Sequence, residues 1–209
     1  MEFTADEIRV LGVLIEKELT TPDYYPLTLN SLTTGCNQKS NRDPVVSFSE
    51  SQTMRAVDSL LKRRLAGHVA GAGSRAEKFR HALAEAWNLS APERAVLSIM
   101  MLRGPQTVGE LRARTARHHP FESLEEVEAV LNALAERDEP LVFHLPRLSG
   151  QKEARYIHLL EGEPDVEALE ASVEQASAAK VSLTAEVADL RERLDALEAA
   201  FTEFRTQFE

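Results

Sequence analysis

The sequence predicts an α+β chain, mostly α with short β-hairpins, in which one motif is used twice and a long helix follows. Three observations carry this. Helix-start residues recur in the same order in two successive stretches: Thr4, Thr28 and Ser49, then Ser90, Thr107 and Ser123. Each trio is followed by two short β-rich runs around a glycine-containing turn. From Val166 onward apolar residues recur in alternating steps of three and four, and no glycine or proline interrupts them.

In the first stretch, Thr4 with Glu7 reads as a capping box, in which the threonine hydroxyl and the acid three residues on satisfy free backbone amides. Ile8, Leu11, Ile15 and Leu19 follow at helical spacing, and Val10 and Leu14 broaden the apolar face. The run TTPDYYP ends that helix. TLNSLTTGC gives a short second one, with Leu29 and Leu32 inward and Gly35 as its expected stop. A polar connection, NQKSNRDPVVSFSES at 37–51, leads to a third helix. That helix is boxed by Ser49 and Gln52, striped by Met54, Val57, Leu60, Leu61 and Leu65, and expected to stop at Gly67. HVAGAG and EKFRHAL then read as a hairpin.

The second stretch repeats the order. Ser90, Pro92 and Glu93 open one helix, and QTVGELRART gives a short one with Val108 and Leu111. Ser123 with Glu126 opens a third, with Leu124, Val127, Val130, Leu131 and Leu134 on one side. PLVFHL and ARYIHLL form the second hairpin, across which His144 and His158 are expected to face one another. Three helices and then a hairpin is the winged-helix order. The expected organisation is therefore a tandem pair of winged-helix domains, 1–88 and 89–162, with a C-terminal coiled-coil helix over 163–209.

In the tail, Leu183, Val187, Leu190, Leu194, Leu197, Phe201 and Phe204 form the predicted oligomerisation seam, with Lys180 as its one charged position. Glu186 can pair with Arg191 of a second strand, and Arg193 with Glu198, which fits a parallel homo-oligomer.

The net charge of −10 is unevenly placed. The tail 163–209 holds four basic and twelve acidic residues, whereas 39–80 holds nine basic and four acidic, a local +5. An acidic pI of 5.2 thus leaves room for a local polyanion site. One cysteine, Cys36, excludes an internal disulfide and fits a reducing compartment. The N-terminal residues lack the basic flank and apolar run of a signal peptide, and no apolar run approaches membrane-spanning length. These features predict a cytoplasmic location and no membrane partner.

The segments LGVLIEKELTTPDYYPLTLNSL, CNQKSNRDPVVSFSES, MLRGPQTVGELRART and ARYIHLLEGE resemble the signature segments of the YceH family of uncharacterised bacterial proteins, in order across residues 4–162. The resemblance implies a tandem winged-helix fold and brings no chemistry with it. The tail is similar to the family only in being helical.

In a winged helix, the third helix presents its outer face to the major groove of duplex DNA. Here that face and its approaches offer Lys39, Arg42, Gln52, Arg55, Ser59, Lys62, Arg63, Arg75 and Lys78 as candidate nucleic-acid contacts, with Arg80 beside them. In the 37–51 stretch the asparagines are expected to order the turn, and Lys39 and Arg42 to reach out. The third helix of the second stretch bears Glu122, Glu125, Glu126, Glu128 and Glu136, which phosphate would repel. Arg112, Arg114, Arg117, His118 and His119 read as solvated surface, and Trp87 as a residue packed between the repeats. There is no glycine-rich phosphate loop after a strand and no cysteine or histidine pair at metal-ligand spacing, so neither catalysis nor a cofactor is expected. Two functions remain: a DNA-binding or chromosome-associated factor acting through the first domain, or a protein-docking scaffold.

Overall fold

The computed structural model describes residues 2–69, 77–148, 151–171, 175 and 186–198. They fall into two units, Met1–Arg147 with Glu153–Pro164, and Leu148–Lys152 with Asp165–Glu209. The fold is α+β, with helices predominating over short antiparallel strand pairs.

In the first lobe of the larger unit, α1 (Ala5–Thr20) starts at its capping box: the Thr4 hydroxyl accepts from the Glu7 N–H, and the Glu7 carboxylate accepts from the Thr4 N–H at 2.7 Å. A turn of 3-10 helix at Pro22–Tyr24 leads to β1 (Leu27–Thr28), a two-residue strand that the sequence did not announce. Then come α2 (Leu29–Cys36), α3 (Glu50–Lys62, with its Ser49–Gln52 box formed), β2 (Ala66–Val69) and β3 (Lys78–His81). Strand β3 lies between the other two, antiparallel to both, with Phe79 opposite Leu27 on one side and His68 on the other. Period-two alternation sends Phe79 and His81 inward, leaving Lys78 and Arg80 half-exposed.

Two expected stops are corrected. Gly35 lies inside α2, which ends at Cys36 with Asn37 as its cap. The glycine is there because a Cβ would stand 2.7 Å from Val13 Cγ1 on α1. After α3 it is Arg64, at φ 59°, that takes the left-handed position, while Gly67 sits in β2.

A short helix, α4 (Leu83–Trp87), joins the lobes. The second lobe has α5 (Ala91–Arg103), α6 (Val108–Thr115), α7 (Leu124–Ala135), β4 (Val142–His144) and β5 (Tyr156–His158). Gln106 bridges to Tyr156 through two backbone hydrogen bonds, 2.9 and 2.7 Å, echoing the β1–β3 pairing of the first lobe. Leu124, expected inward, is 43% exposed.

The two lobes pack through their first helices. α1 is buried on every side from Glu7 to Ile15 and Glu16, and α5 from Ala95 to Leu102. A helix apolar nearly all round belongs between two layers, not on a surface. Gly12 sits where they meet: a Cβ there would be 3.0 Å from the side chains of Leu102 and Met101. In the smaller unit, residues 166–171 and 186–198 are helical. Val187, Leu190, Leu194 and Leu197 of the expected seam are 40–66% exposed, while Lys180, Leu183, Phe201 and Phe204 lie outside the described residues. Among the described residues, no helix is long and apolar enough to cross a membrane.

Candidate nucleic-acid interface

The 37–51 connection is ordered chiefly by its own polar side chains. The Asn37 amide holds both backbone groups of Phe48, donating to its carbonyl at 2.8 Å and accepting from its N–H at 2.6 Å. Asn41 takes a left-handed turn at φ 56°, and the chain doubles back over the end of α2. The turn drives Arg42 inward, so Arg42, expected as a DNA contact, is instead fully buried. Its guanidinium donates to both Glu16 carboxylate oxygens at 3.0 and 2.6 Å, to the Gly35 carbonyl at 3.1 and 2.9 Å, to Gln38 and to Asn41. Burial alone would raise the Glu16 carboxyl; Arg42, aided by Lys17, holds it below its ordinary value. Arg9, also buried, donates to the Pro44 carbonyl at 2.7 Å, and the Asp43 N–H donates to the Leu102 carbonyl at 2.9 Å. These contacts clamp the connection onto α1 and the end of α5.

Three more candidates are engaged within the fold. The Gln52 side chain closes its capping box on the Ser49 N–H at 3.1 Å. Ser59 and Arg63 turn back to Glu7 on α1, with the Arg63 guanidinium also donating to the Glu2 carbonyl at 2.9 Å and lying 4.8 Å over the Phe3 ring. Burial raises the Glu7 carboxyl, yet hydrogen bonds from Ser59 and Thr4 and the charge of Arg63 leave it below its ordinary value. Arg80 pairs with Glu85 at 2.8 Å. Arg75 lies outside the described residues.

What faces outward is a smaller set. Arg55 and Lys62 are exposed on α3, seven residues or about 10 Å apart along the axis. Lys39 is exposed on the approach to α3, and Lys78 half-exposed on β3. None of the four side chains makes a hydrogen bond or ion pair among the described residues. Asp58, exposed between Arg55 and Lys62, offsets one charge.

The second lobe differs. Glu122, Glu125 and Glu128 are exposed at α7, while Arg112 donates to the Glu122 carbonyl at 2.6 Å and Arg114 and Arg155 pair with Glu110 at 3.3 and 2.6 Å. His118, expected at the surface, buries both ring nitrogens with no hydrogen-bond partner among the described residues, and burial pushes its pKa down. The hairpin register sets His144 against Tyr156, ring centroids 4.5 Å apart, and Val142 against His158, so the two histidines do not face one another. His158 is buried and pushed down to about 4. Cys36 is fully buried, which pushes its thiol up to about 12, a packed residue rather than a nucleophile. Trp87 meets Phe3 edge-on at 6.0 Å, and its carbonyl accepts from Arg137 of the second lobe, which places it at the lobe junction as expected.

The sequence reading missed a second inter-lobe node. Glu18 near the end of α1 accepts from His81 Nε2 at 2.9 Å and from Arg94 on α5. The Leu83 N–H donates to His81 Nδ1, so the imidazole carries its proton on Nε2. The available signal was a pair of acids, Glu16 and Glu18, directly after the apolar run Val10–Ile15 of the same helix.

These features define a class: an α+β protein of two lobes, each with three helices and then a hairpin, joined back to back, with a small cationic face on the first. The family model described as "Protein of unknown function, DUF480" matches residues 3–151. The chain is 51% identical to a UPF0502 protein of Geobacter sulfurreducens over 97% of its own length and 96% of that protein's. It is 49% identical to a UPF0502 protein of Vibrio parahaemolyticus, with 95% and 96% covered, and 47% identical to one from Azoarcus sp., with 97% and 92% covered. The chain belongs to this DUF480/UPF0502 family, the one that includes YceH.

Proposed function

We propose that this protein acts by binding rather than by catalysis, as a tandem winged-helix factor that contacts duplex DNA through the outer face of α3. The observation that carries the reading is the pair Arg55 and Lys62: exposed, unpaired among the described residues, and on the third helix of the motif, with Lys39 leading in. Four candidates of the wider set are engaged inside the fold, so the footprint is small and its affinity is electrostatic and salt-sensitive. The exposed apolar stripe at 187–197 supports association of the tail with a second copy, which doubles the footprint and raises avidity.

The test is retention of a short duplex at about 50 and 200 mM salt. Arg55→Ala with Lys62→Ala should weaken binding and flatten the salt slope by about 2, at roughly 0.9 per phosphate contact. No retention at the lower salt, or retention untouched by the double substitution, sinks the reading. The acidic face of α7 favours a second reading, a protein-docking scaffold; a salt-resistant protein partner in a sample free of nucleic acid would select it.

A further inference from the structure

Where α4 meets the end of α7 and the strand ends of the second hairpin, an open groove of about 1040 Å³ runs along the lobe junction. Half-buried Trp87 and Leu159 form its apolar wall, backed by the buried side chains of Phe3, Leu141 and Leu160. Its opposite edge is the turn after α7, where Glu136, Asp138 and Glu139 are exposed, and among the described residues their carboxylates have no hydrogen bond or ion pair. The one cation among the described lining residues, Arg137, is engaged: it donates to the Trp87 carbonyl and lies 3.6 Å from Glu93. The groove therefore offers apolar surface beside three uncompensated negative charges, and nothing in it suits a phosphate.

We propose that this groove docks a segment of a partner protein that carries a bulky apolar side chain flanked by lysine or arginine. Charge complementarity makes the choice. The chain's own tail, with four basic and twelve acidic residues over 163–209, is repelled by the same carboxylates, as is a nucleic acid. The apolar anchor would fill the space beside Trp87, and the basic flanks would meet the acidic edge, giving an aromatic-lined centre with a charged rim. This proposal is independent of the DNA reading, since it uses another face and the opposite charge.

Trp87 is the only tryptophan, so its emission reports the groove directly. The probe is the tryptophan-free peptide acetyl-Lys-Arg-Leu-Phe-Arg-Lys-amide, titrated into the full chain at constant ionic strength. A saturable blue shift is expected. Replacing Leu-Phe by Ala-Ala should abolish it, and replacing the four basic residues by glutamate should too. The variant Glu136→Gln, Asp138→Asn, Glu139→Gln alters only exposed side chains; its melting temperature should match the parent's, and it should bind the peptide about tenfold more weakly. No shift, or equal binding by the triple variant, overturns the proposal. So does a shift produced equally by a duplex oligonucleotide, or one that follows protein concentration without peptide, which would assign the groove to a second copy.

Discussion

Replacing Arg42 separates the two roles that a cation in the 37–51 connection can have. Its side chain is fully buried and that of Glu16 is 5% exposed, and they meet at 2.6 Å. Arg42→Ala removes every hydrogen bond of the guanidinium, leaves the buried Glu16 carboxylate with only Lys17, at 3.2 Å, to offset its charge, and leaves the Gly35 carbonyl without its donor. Breaking a buried pair by deleting one partner costs about 3–5 kcal/mol. A domain typically holds 5–15 kcal/mol in all, so the loss is a large fraction of the total. For a chain of this size it lowers the melting temperature by roughly 10 °C. Denaturant unfolding followed by Trp87 emission measures it, since that residue sits at the lobe junction. Arg42→Met with Glu16→Leu removes the buried carboxylate as well and should be less damaging than the sum of the single changes. Duplex retention by the folded fraction of Arg42→Ala should keep the parent's salt slope. An unfolding midpoint unchanged in Arg42→Ala, together with a shallower salt slope, would refute the burial and return this arginine to the DNA surface.

Gly35→Ala should destabilise by about 1–3 kcal/mol in the same unfolding experiment, despite alanine's better helix propensity, because its methyl collides with Val13; adding Val13→Ala should recover part of the loss. His158 has an ordinary pKa of 6.5 but about 4 when folded. Between those values the unfolded chain binds the proton and the folded one does not, so stability falls as pH drops from 6.5 to 4, by about 3 kcal/mol in full. Subtracting the profile of His158→Leu should isolate that fall, and identical profiles would contradict it. The exposed stripe Val187, Leu190, Leu194 and Leu197 should drive concentration-dependent mass in sedimentation, abolished by Leu190→Asp with Leu194→Asp; a parent monomeric at all concentrations removes the coil.

Much of this protein is legible in the sequence because its helix starts are chemically local. The boxes at Thr4–Glu7, Ser49–Gln52 and Ser90–Glu93 all form, since each needs only residues three apart; at Ser123 the cap forms, but the Glu126 carboxylate accepts from the Glu122 N–H instead of closing a box. Strand β1 escaped because two residues carry no period, and its strand character comes from pairing with β3 fifty residues away. The histidines of the second hairpin were misaligned because register follows from pairing across a loop, not from either run alone.

The candidate site was less legible than the fold. Lys39, Arg42, Arg55 and Arg63 look alike in the sequence: cations near the third helix of a winged-helix order. Folding divided them: Arg42 found a buried carboxylate 26 residues away, Arg63 found Glu7 and a phenylalanine ring, and Lys39 and Arg55 found neither among the described residues. The sequence by itself determined the six main helices and the two hairpins and their order, because hydrogen bonding within a turn and apolar periodicity act over a few residues. Only the tertiary structure decided which charges remain outside and which helices are wrapped on every side. A charge can be buried only where a distant partner offsets its lost hydration, and that partner is brought near by the fold.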